Sequence, residues 1–254
     1  MRPWPYPFWI AHRGAGELAP ENTLAAFRQG ASYGYRMFEC DAKLSADGVV
    51  FLLHDATLER TTDGQGAAGL RPWAALAQLD AGRWHSAEYA GEPLPTLAAV
   101  VRYCLANDFQ LNIEIKPSPG AERETGRAVA RELRGLWRQE RSWPLLSSFY
   151  PGALEAARVE HPECPLGLLL HTLPPNWLAA AQQLGCQAVV CLHTLWNADT
   201  VAAVHQAGLR ALSYTVNDPG EAQRLIALGT DGIVTDRVDV FRPEGPNEWI
   251  NPRL

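Results

Sequence analysis

The sequence predicts an α/β chain closed into a (β/α)8 TIM barrel, with a small insertion after the second strand and its hairpin. Three observations predict it. Short apolar runs alternate with amphipathic stretches along the whole chain, the pattern of a parallel sheet covered by helices. The chain has 254 residues, a typical length for such a barrel. Finally, the strand count comes to eight once one hairpin is recognised.

The apolar runs cover 8–12, 37–44, 49–54, 111–116, 145–149, 166–171, 188–193, 211–217 and 232–235. Helix-like segments rich in Ala, Leu, Arg, Glu and Gln cover 23–33, 97–106, 123–137, 152–160, 176–184, 199–206 and 221–228. Asn22 or Thr23 can cap the first, and Gly185, Gly208 and Gly229 end later ones. Nine runs is one too many. Only Ser45, Ala46, Asp47 and Gly48 separate the second from the third, and a parallel crossover needs a dozen or more residues. The third run is therefore the return arm of a hairpin, with Gly48 at the awkward turn angle. That arm brings His54 back beside Glu39 or Asp41, the choice set by the turn and any bulge.

Residues 56–95 hold no clear strand, and compact folds rarely leave so long a stretch without structure or function. It reads as an excursion over the active face, a cap anchored by Trp73 and Trp84. No repeat, linker or low-complexity tract divides the chain, so 1–254 reads as one domain. Residues 238–254 lack a period and read as a loose tail or a strap across the barrel.

Composition narrows the partners. The formal net charge is −6 and the pI is near 5.7, against a nucleic-acid binder, which needs a basic footprint. No run of about 18 apolar residues offers a membrane span. The N-terminal residues lack the apolar core and small-residue cleavage site of a signal peptide, so a cytoplasmic location is expected. Cys40, Cys104, Cys164, Cys186 and Cys191 are scattered without CxxC spacing and are expected to be buried free thiols. Of 22 basic residues only Lys43 and Lys116 are lysines, so each carries more information than usual.

Period two decides which side chains share a face of a strand. Glu39, Asp41 and Lys43 point one way, and Phe38, Cys40 and Ala42 the other. Asn112, Glu114 and Lys116 share a face opposite Leu111, Ile113 and Ile115. Three carboxylates thus project into the barrel mouth, where unpaired they would repel and resist burial. A hard divalent cation, Mg2+ or Ca2+, resolves that conflict. Lys116, two residues from Glu114, suits an anion bridging metal and lysine. The competing reading is salt bridging alone, Glu114 with Lys116 and Asp41 with Arg13.

Catalytic groups in these barrels sit at the C-terminal strand ends. His12 closes the first strand and His54 ends the hairpin's return arm. Two such histidines can serve as general base and general acid, and Arg13 can grip a phosphate with two N–H groups. A lone strand-end histidine is usually structural, but these two flank the carboxylates. His171 and His193 also end strands, lack such company, and read as structural or rim residues.

His12-Arg13-Gly14, Pro20-Glu21-Asn22-Thr23, Glu39-x-Asp41, Asp47-Gly48, His54-Asp55, Arg60-Thr61-Thr62, Glu114-Ile115-Lys116, Ser148-Phe149 and Thr215-Val216-Asn217 follow one another in that order. Together, from His12 to Asp236, they closely resemble the glycerophosphodiester phosphodiesterase family, and the missing leader makes the chain resemble its cytosolic bacterial branch rather than the periplasmic one. The resemblance implies a phospholipase C-like phosphodiesterase barrel with a family insertion, which fits 56–95. It implies Mg2+ or Ca2+ on Glu39, Asp41 and Glu114, acid–base roles for His12 and His54, and phosphate binding by Arg13 and Lys116. One departure precedes Thr215: the family often has Trp there, and this chain has Tyr214. A ring remains, so packing of the glycerol or headgroup is altered more than the chemistry.

The implied reaction is hydrolysis of a small-molecule glycerophosphodiester to sn-glycerol 3-phosphate and an alcohol. One rival is a phospholipase C- or D-type enzyme, or a lysophospholipid phosphodiesterase. It needs a way onto a membrane, and only exposed aromatics such as Trp177 and Trp196 favour it, since no basic amphipathic helix is evident. The other is an inactive binding or sensor protein on the same barrel. That rival predicts missing catalytic groups, whereas all seven acidic, basic and histidine positions are filled.

Overall fold

A computed structural model describes residues 4–137 and 142–243. Its strands are β1 (Trp9–Ala11), β2 (Met37–Leu44), β3 (Val50–Leu52), β4 (Gln110–Ile115), β5 (Leu145–Ser148), β6 (Leu166–Leu170), β7 (Ala188–Leu192), β8 (Arg210–Tyr214) and β9 (Gly232–Thr235). The α-helices are α1 (Leu24–Ser32), α2 (Trp73–Leu76), α3 (Leu97–Asn107), α4 (Glu122–Leu136), α5 (Pro151–Glu160), α6 (Trp177–Gln183), α7 (Ala198–Gln206) and α8 (Pro219–Ala227). Eight strands run parallel in the order β1-β9-β8-β7-β6-β5-β4-β2, and the pairing of Ala11 with Phe38 closes the ring. This is the (β/α)8 barrel.

β3 is the expected antiparallel arm. It pairs Ala42 with Leu52 and Leu44 with Val50, and Gly48 turns the hairpin at φ 82°. Because Leu53 N–H donates to the Asp41 carbonyl at 3.0 Å, the arm delivers His54 to Asp41 rather than to Glu39. The first helix is capped by Thr23, whose hydroxyl accepts from Ala26 N–H. Asn22 is spent in the barrel mouth instead.

Strand alternation divides the interior. Ile10, Met37, Leu145, Leu169, Val190, Leu212 and Val234 fill the barrel. Trp9, Phe38, Cys40, Leu111, Ile113 and Leu146 face outward into the layer shared with the helices. The five cysteines are buried and free, as expected. Among the described residues no helix is long and apolar enough to cross a membrane.

The stretch 56–95 carries only short helical turns and α2, around a core of its own made by Phe51, Leu53, Leu58, Ala68, Leu76, Ala81 and Leu94. Trp73 packs on that core. Trp84 is 40% exposed and held by a hydrogen bond to the Ala81 carbonyl, so only the first of the two expected anchors is one. Two other aromatic expectations are corrected. Trp196 is 1% exposed, its indole N–H donating to the Leu212 carbonyl, and Trp177 packs partly buried against the main core. Both fill gaps behind the barrel, and neither supports a lipid-surface reading. Toward the C-terminus, Val238, Val240 and Phe241 are buried and Phe241 stacks on Trp9, so this part straps the chain. The rest of the expected tail, 244–254, lies outside the described residues.

Candidate active site

β2 and β4 lie side by side with Glu39 opposite Asn112 and Asp41 opposite Glu114. Period two turns Glu39, Asp41 and Glu114 inward together, and one carboxylate oxygen from each lies within 4.8 Å of the others. Both pairs of the salt-bridging reading exist: Lys116 Nζ is 3.2 Å from Glu114 Oε1 and from Asp41 Oδ1, and Arg13 Nε is 3.4 Å from Asp41 Oδ2. They do not exhaust the site. Arg13 and Lys116 pair with Asp41 and Glu114, and Lys43 lies below, but among the described residues the Glu39 carboxylate accepts only the Arg13 backbone N–H. Burial, Asp41 and Glu114 push the Glu39 carboxyl well above its ordinary range. Burial and Asp41 raise Glu114 to about 7. Burial would raise Asp41 too, but Lys116, Arg13 and His54 hold it well below. The site is short of positive charge, and its donors are hard oxygens. That is what a divalent cation fits.

Asp41 is the foundation of the triad. Asn22 donates from Nδ2 to Asp41 Oδ2 at 2.8 Å and accepts from Asp41 N–H at 3.0 Å. Asn22 and Arg13 both take left-handed backbone, φ 59° and 50°, at a cost of about 1–3 kcal/mol each. The strain falls on the two residues that grip Asp41. Arg13 N–H also donates to Glu39 Oε2 at 3.1 Å. Lys43, buried below, donates from Nζ to the Lys116 carbonyl at 3.2 Å, and burial lowers it to about 8.

Each candidate histidine belongs to a His–Asp pair. His12 Nδ1 lies 2.6 Å from Asp236 Oδ1. Asn217 holds that aspartate by donating to Oδ2 at 2.8 Å and accepting its N–H at 2.9 Å. Gly16 lets the chain pass close by: a Cβ there would stand 2.1 Å from the Asp236 carbonyl oxygen. His54 Nδ1 lies 2.7 Å from Asp55 Oδ1. Arg60 clamps both oxygens of Asp55 and both of Glu21, and Glu21 in turn accepts from Arg13 at 2.9 Å. A carboxylate only accepts, so each Nδ1 carries a proton and each neutral ring keeps Nε2 as a base. Burial lowers the His54 pKa, outweighing the pull of Asp41.

A cavity of about 590 Å³ opens above these groups and is lined by His12, Arg13, Glu39, His54, Glu114, Lys116 and Tyr214. Asp41 lies beneath it, 1% exposed. All eight site residues expected from the sequence are therefore brought to one mouth.

A model of the glycerophosphoryl diester phosphodiesterase family matches residues 12–240. The chain belongs to that family. It is 32% identical over 235 residues to a glycerophosphodiester phosphodiesterase of Caldanaerobacter subterraneus subsp. tengcongensis, covering 89% of this chain and 93% of that one. Among solved structures it is similar to an Oleispira antarctica phosphodiesterase in complex with the product sn-glycerol-3-phosphate. That match has TM-score 0.87 and 36% identity, over 91% of this chain and 93% of that one. It is also similar to a glycerophosphodiester phosphodiesterase of Agrobacterium tumefaciens, with TM-score 0.76 and 25% identity, over 92% and 98% of the two chains.

As a family member the chain is a phosphoric diester hydrolase, and Glu39, Asp41 and Glu114 form its candidate metal centre. Sequence reasoning left five supporting residues without a role. Asp236 meets His12 across more than two hundred residues, with Asn217 behind it, and no local spacing announces the contact. Arg60 was visible only as part of a family motif. Phe149, visible only as part of the same motif series, and His171, read as structural or rim, line the far wall of the cavity. His193, read as structural or rim, pairs with Glu221.

Proposed function

We propose that the chain hydrolyses small glycerophosphodiesters to sn-glycerol 3-phosphate and an alcohol, with Mg2+ or Ca2+ held by Glu39, Asp41 and Glu114. The observation that carries this reading is the convergence of one acidic triad and two His–Asp pairs on a single cavity. The Oleispira relative's product complex supports the choice of glycerol phosphate. A bound divalent cation supplies charge neutralisation and Lewis acidity at the phosphate oxygens.

The chain's own residues do the rest. Arg13 and Lys116 border the cavity as cations for the phosphate oxygens. One histidine Nε2 takes the proton of the attacking hydroxyl as its oxygen bonds to phosphorus. The bond from phosphorus to the leaving alcohol breaks, and the other histidine, protonated, gives that oxygen its proton. Asp236 and Asp55 hold the two rings in the required tautomer and stabilise each in its charged form. Water satisfies this scheme directly; the glycerol 2-hydroxyl satisfies it by giving a cyclic phosphate, whose P–O2 bond water then breaks with the proton returned to O2, and hydrolysis of a diester lacking that hydroxyl selects water. Residues 56–95 serve as a cap whose Arg60 reaches the site. The buried free thiols accord with a cytoplasmic enzyme.

The test is release of sn-glycerol 3-phosphate from glycerophosphoethanolamine, with EDTA and then with Mg2+ or Ca2+ restored. Release that EDTA abolishes and metal restores is expected. Folded protein that releases none with either metal refutes the reading.

A further inference from the structure

We infer that His171 is a specificity-determining residue, which accepts a hydrogen bond at Nε2 from a hydroxyl of the substrate's glycerol moiety. The inference rests on the glycerophosphodiester reading of the site and goes beyond it in naming how glycerol is read.

The argument begins with one proton. Tyr214 Oη lies 3.0 Å from the Leu170 carbonyl oxygen and 2.9 Å from His171 Nδ1. The phenol has a single hydrogen, and burial raises its pKa, so it stays protonated. A carbonyl can only accept. If the phenol donated to His171, two oxygens would face each other at 3.0 Å with no hydrogen between them. The phenol therefore donates to Leu170, and His171 Nδ1–H donates to the phenol. In the neutral ring this leaves Nε2 bare, an acceptor. No protein group among the described residues bonds to it, and His171 is exposed on the cavity wall.

The ring is also fixed in direction. It stacks on Phe149 with centroids 4.0 Å apart and planes 15° from parallel, while Tyr214 stands edge-on to Phe149 at 87°. Phe149, Leu169 and Val190 give this wall an apolar surface, suited to a carbon skeleton. The charged residues lie across the mouth, where the phosphate belongs. A short hydroxylated chain leaving the phosphate meets an apolar wall with one acceptor ready for its O–H. His171 covers one face of Phe149, which closes that face to a cationic headgroup. The Tyr at 214, where the family often has Trp, supplies the hydroxyl that sets this tautomer.

Binding of stable ligands separates this from chemistry. Dissociation constants for sn-glycerol 3-phosphate, n-propyl phosphate, phosphocholine and inorganic phosphate are measured by calorimetry with Ca2+ present. The wild type should favour sn-glycerol 3-phosphate over propyl phosphate by about five- to tenfold, the size of one neutral hydrogen bond. His171→Leu should erase that preference and leave inorganic phosphate binding within about twofold. His171→Gln, which can place an amide oxygen near the Nε2 position, should keep part of it. Tyr214→Phe, which retains the ring, should weaken the preference. It should also shift the His171 tautomer away from Nδ1–H in its ring 15N signals.

A His171→Leu variant that keeps the preference overturns the inference. So does one that loses inorganic phosphate binding equally, or a wild type that favours phosphocholine. A wild type that hydrolyses no glycerophosphodiester, tested separately, overturns the underlying reading and this inference with it.

Discussion

On one side of the barrel mouth, β1, β2, β4 and the residues just after them supply His12, Glu39, Asp41, Glu114 and Lys116; on the other, β5, β6, β8 and the residues just after them supply Phe149, His171 and Tyr214. The first half is made of buried charges that cannot be left alone. Each has a partner that fixes it: Asn22 on Asp41, Asp236 on His12, Arg60 on Asp55 and Glu21. The second half is rings and aliphatic side chains, with one hydrogen-bonded pair. Charges in a low-dielectric mouth act on charge that develops during reaction, whereas apolar walls act on shape. The charged half should therefore govern turnover and the aromatic half binding.

The largest effects should come from the charged half. His12→Ala and His54→Ala should each lower kcat by about a hundredfold or more, the usual scale for acid–base groups. Circular dichroism and melting should show the fold intact. Normal turnover in either variant would remove that histidine from the reaction. Next in size are the partners. Asp236→Asn and Asp55→Asn keep the shape but lose the charge that orients each ring, and should lower kcat on the order of tenfold to a hundredfold with KM little changed. A change confined to KM would mean that these aspartates shape the pocket instead.

The triad's charge imbalance gives a pH prediction for the metal-free protein. Glu114 titrates near 7 when folded and near 4.5 when not. The folded state holds the extra proton between those values, so this group's stabilisation is complete below about 4.5 and is lost as pH rises through about 7. Glu39 is shifted in the same sense. Asp41 is shifted the other way, and its stabilisation is lost only on acidification below its ordinary range. The melting temperature in EDTA should thus fall between about pH 5 and 8. At a fixed concentration Ca2+ or Mg2+ should raise it more at the higher pH, where Kd is lower; at a hundred times Kd the stabilisation is about 2.7 kcal/mol. Glu114→Gln should flatten both trends. A cation-induced rise that is the same at both pH values would show that the ion does not displace protons from these carboxylates.

The two halves also differed in how far the sequence revealed them. Inward-facing Glu39, Asp41 and Glu114 were readable because alternation along a strand leaves a charged residue few places to go. The hairpin was readable because four residues cannot hold a crossover. His54–Asp55 was visible as adjacent letters. The equivalent pair on His12 was not, since its aspartate sits at the far end of the barrel ring and meets it only when β1 pairs with β9. Phe149 and His171 were hidden for another reason. A ring at a strand end looks the same whether it packs on a helix or faces a cavity, and only the closed barrel decides. Trp84 and Trp196 show the same ambiguity: one was expected to anchor and is half-exposed, the other was expected outside and is buried.

The smallest effect tests the aromatic half directly. Phe149→Leu removes the ring on which His171 stacks while keeping an apolar side chain of similar reach. The lost contact is one aromatic pair, worth about 0.5–1.5 kcal/mol, so KM for a glycerophosphodiester should rise by roughly two- to tenfold. Turnover should stay within about threefold, because no charge near the phosphate has moved. Steady-state kinetics on one substrate separates the two numbers. If kcat falls as it does for the aspartate variants, the wall is positioning the reacting atoms as well as holding glycerol. The two halves would then be one machine, as Tyr214 and Glu114 line the same cavity.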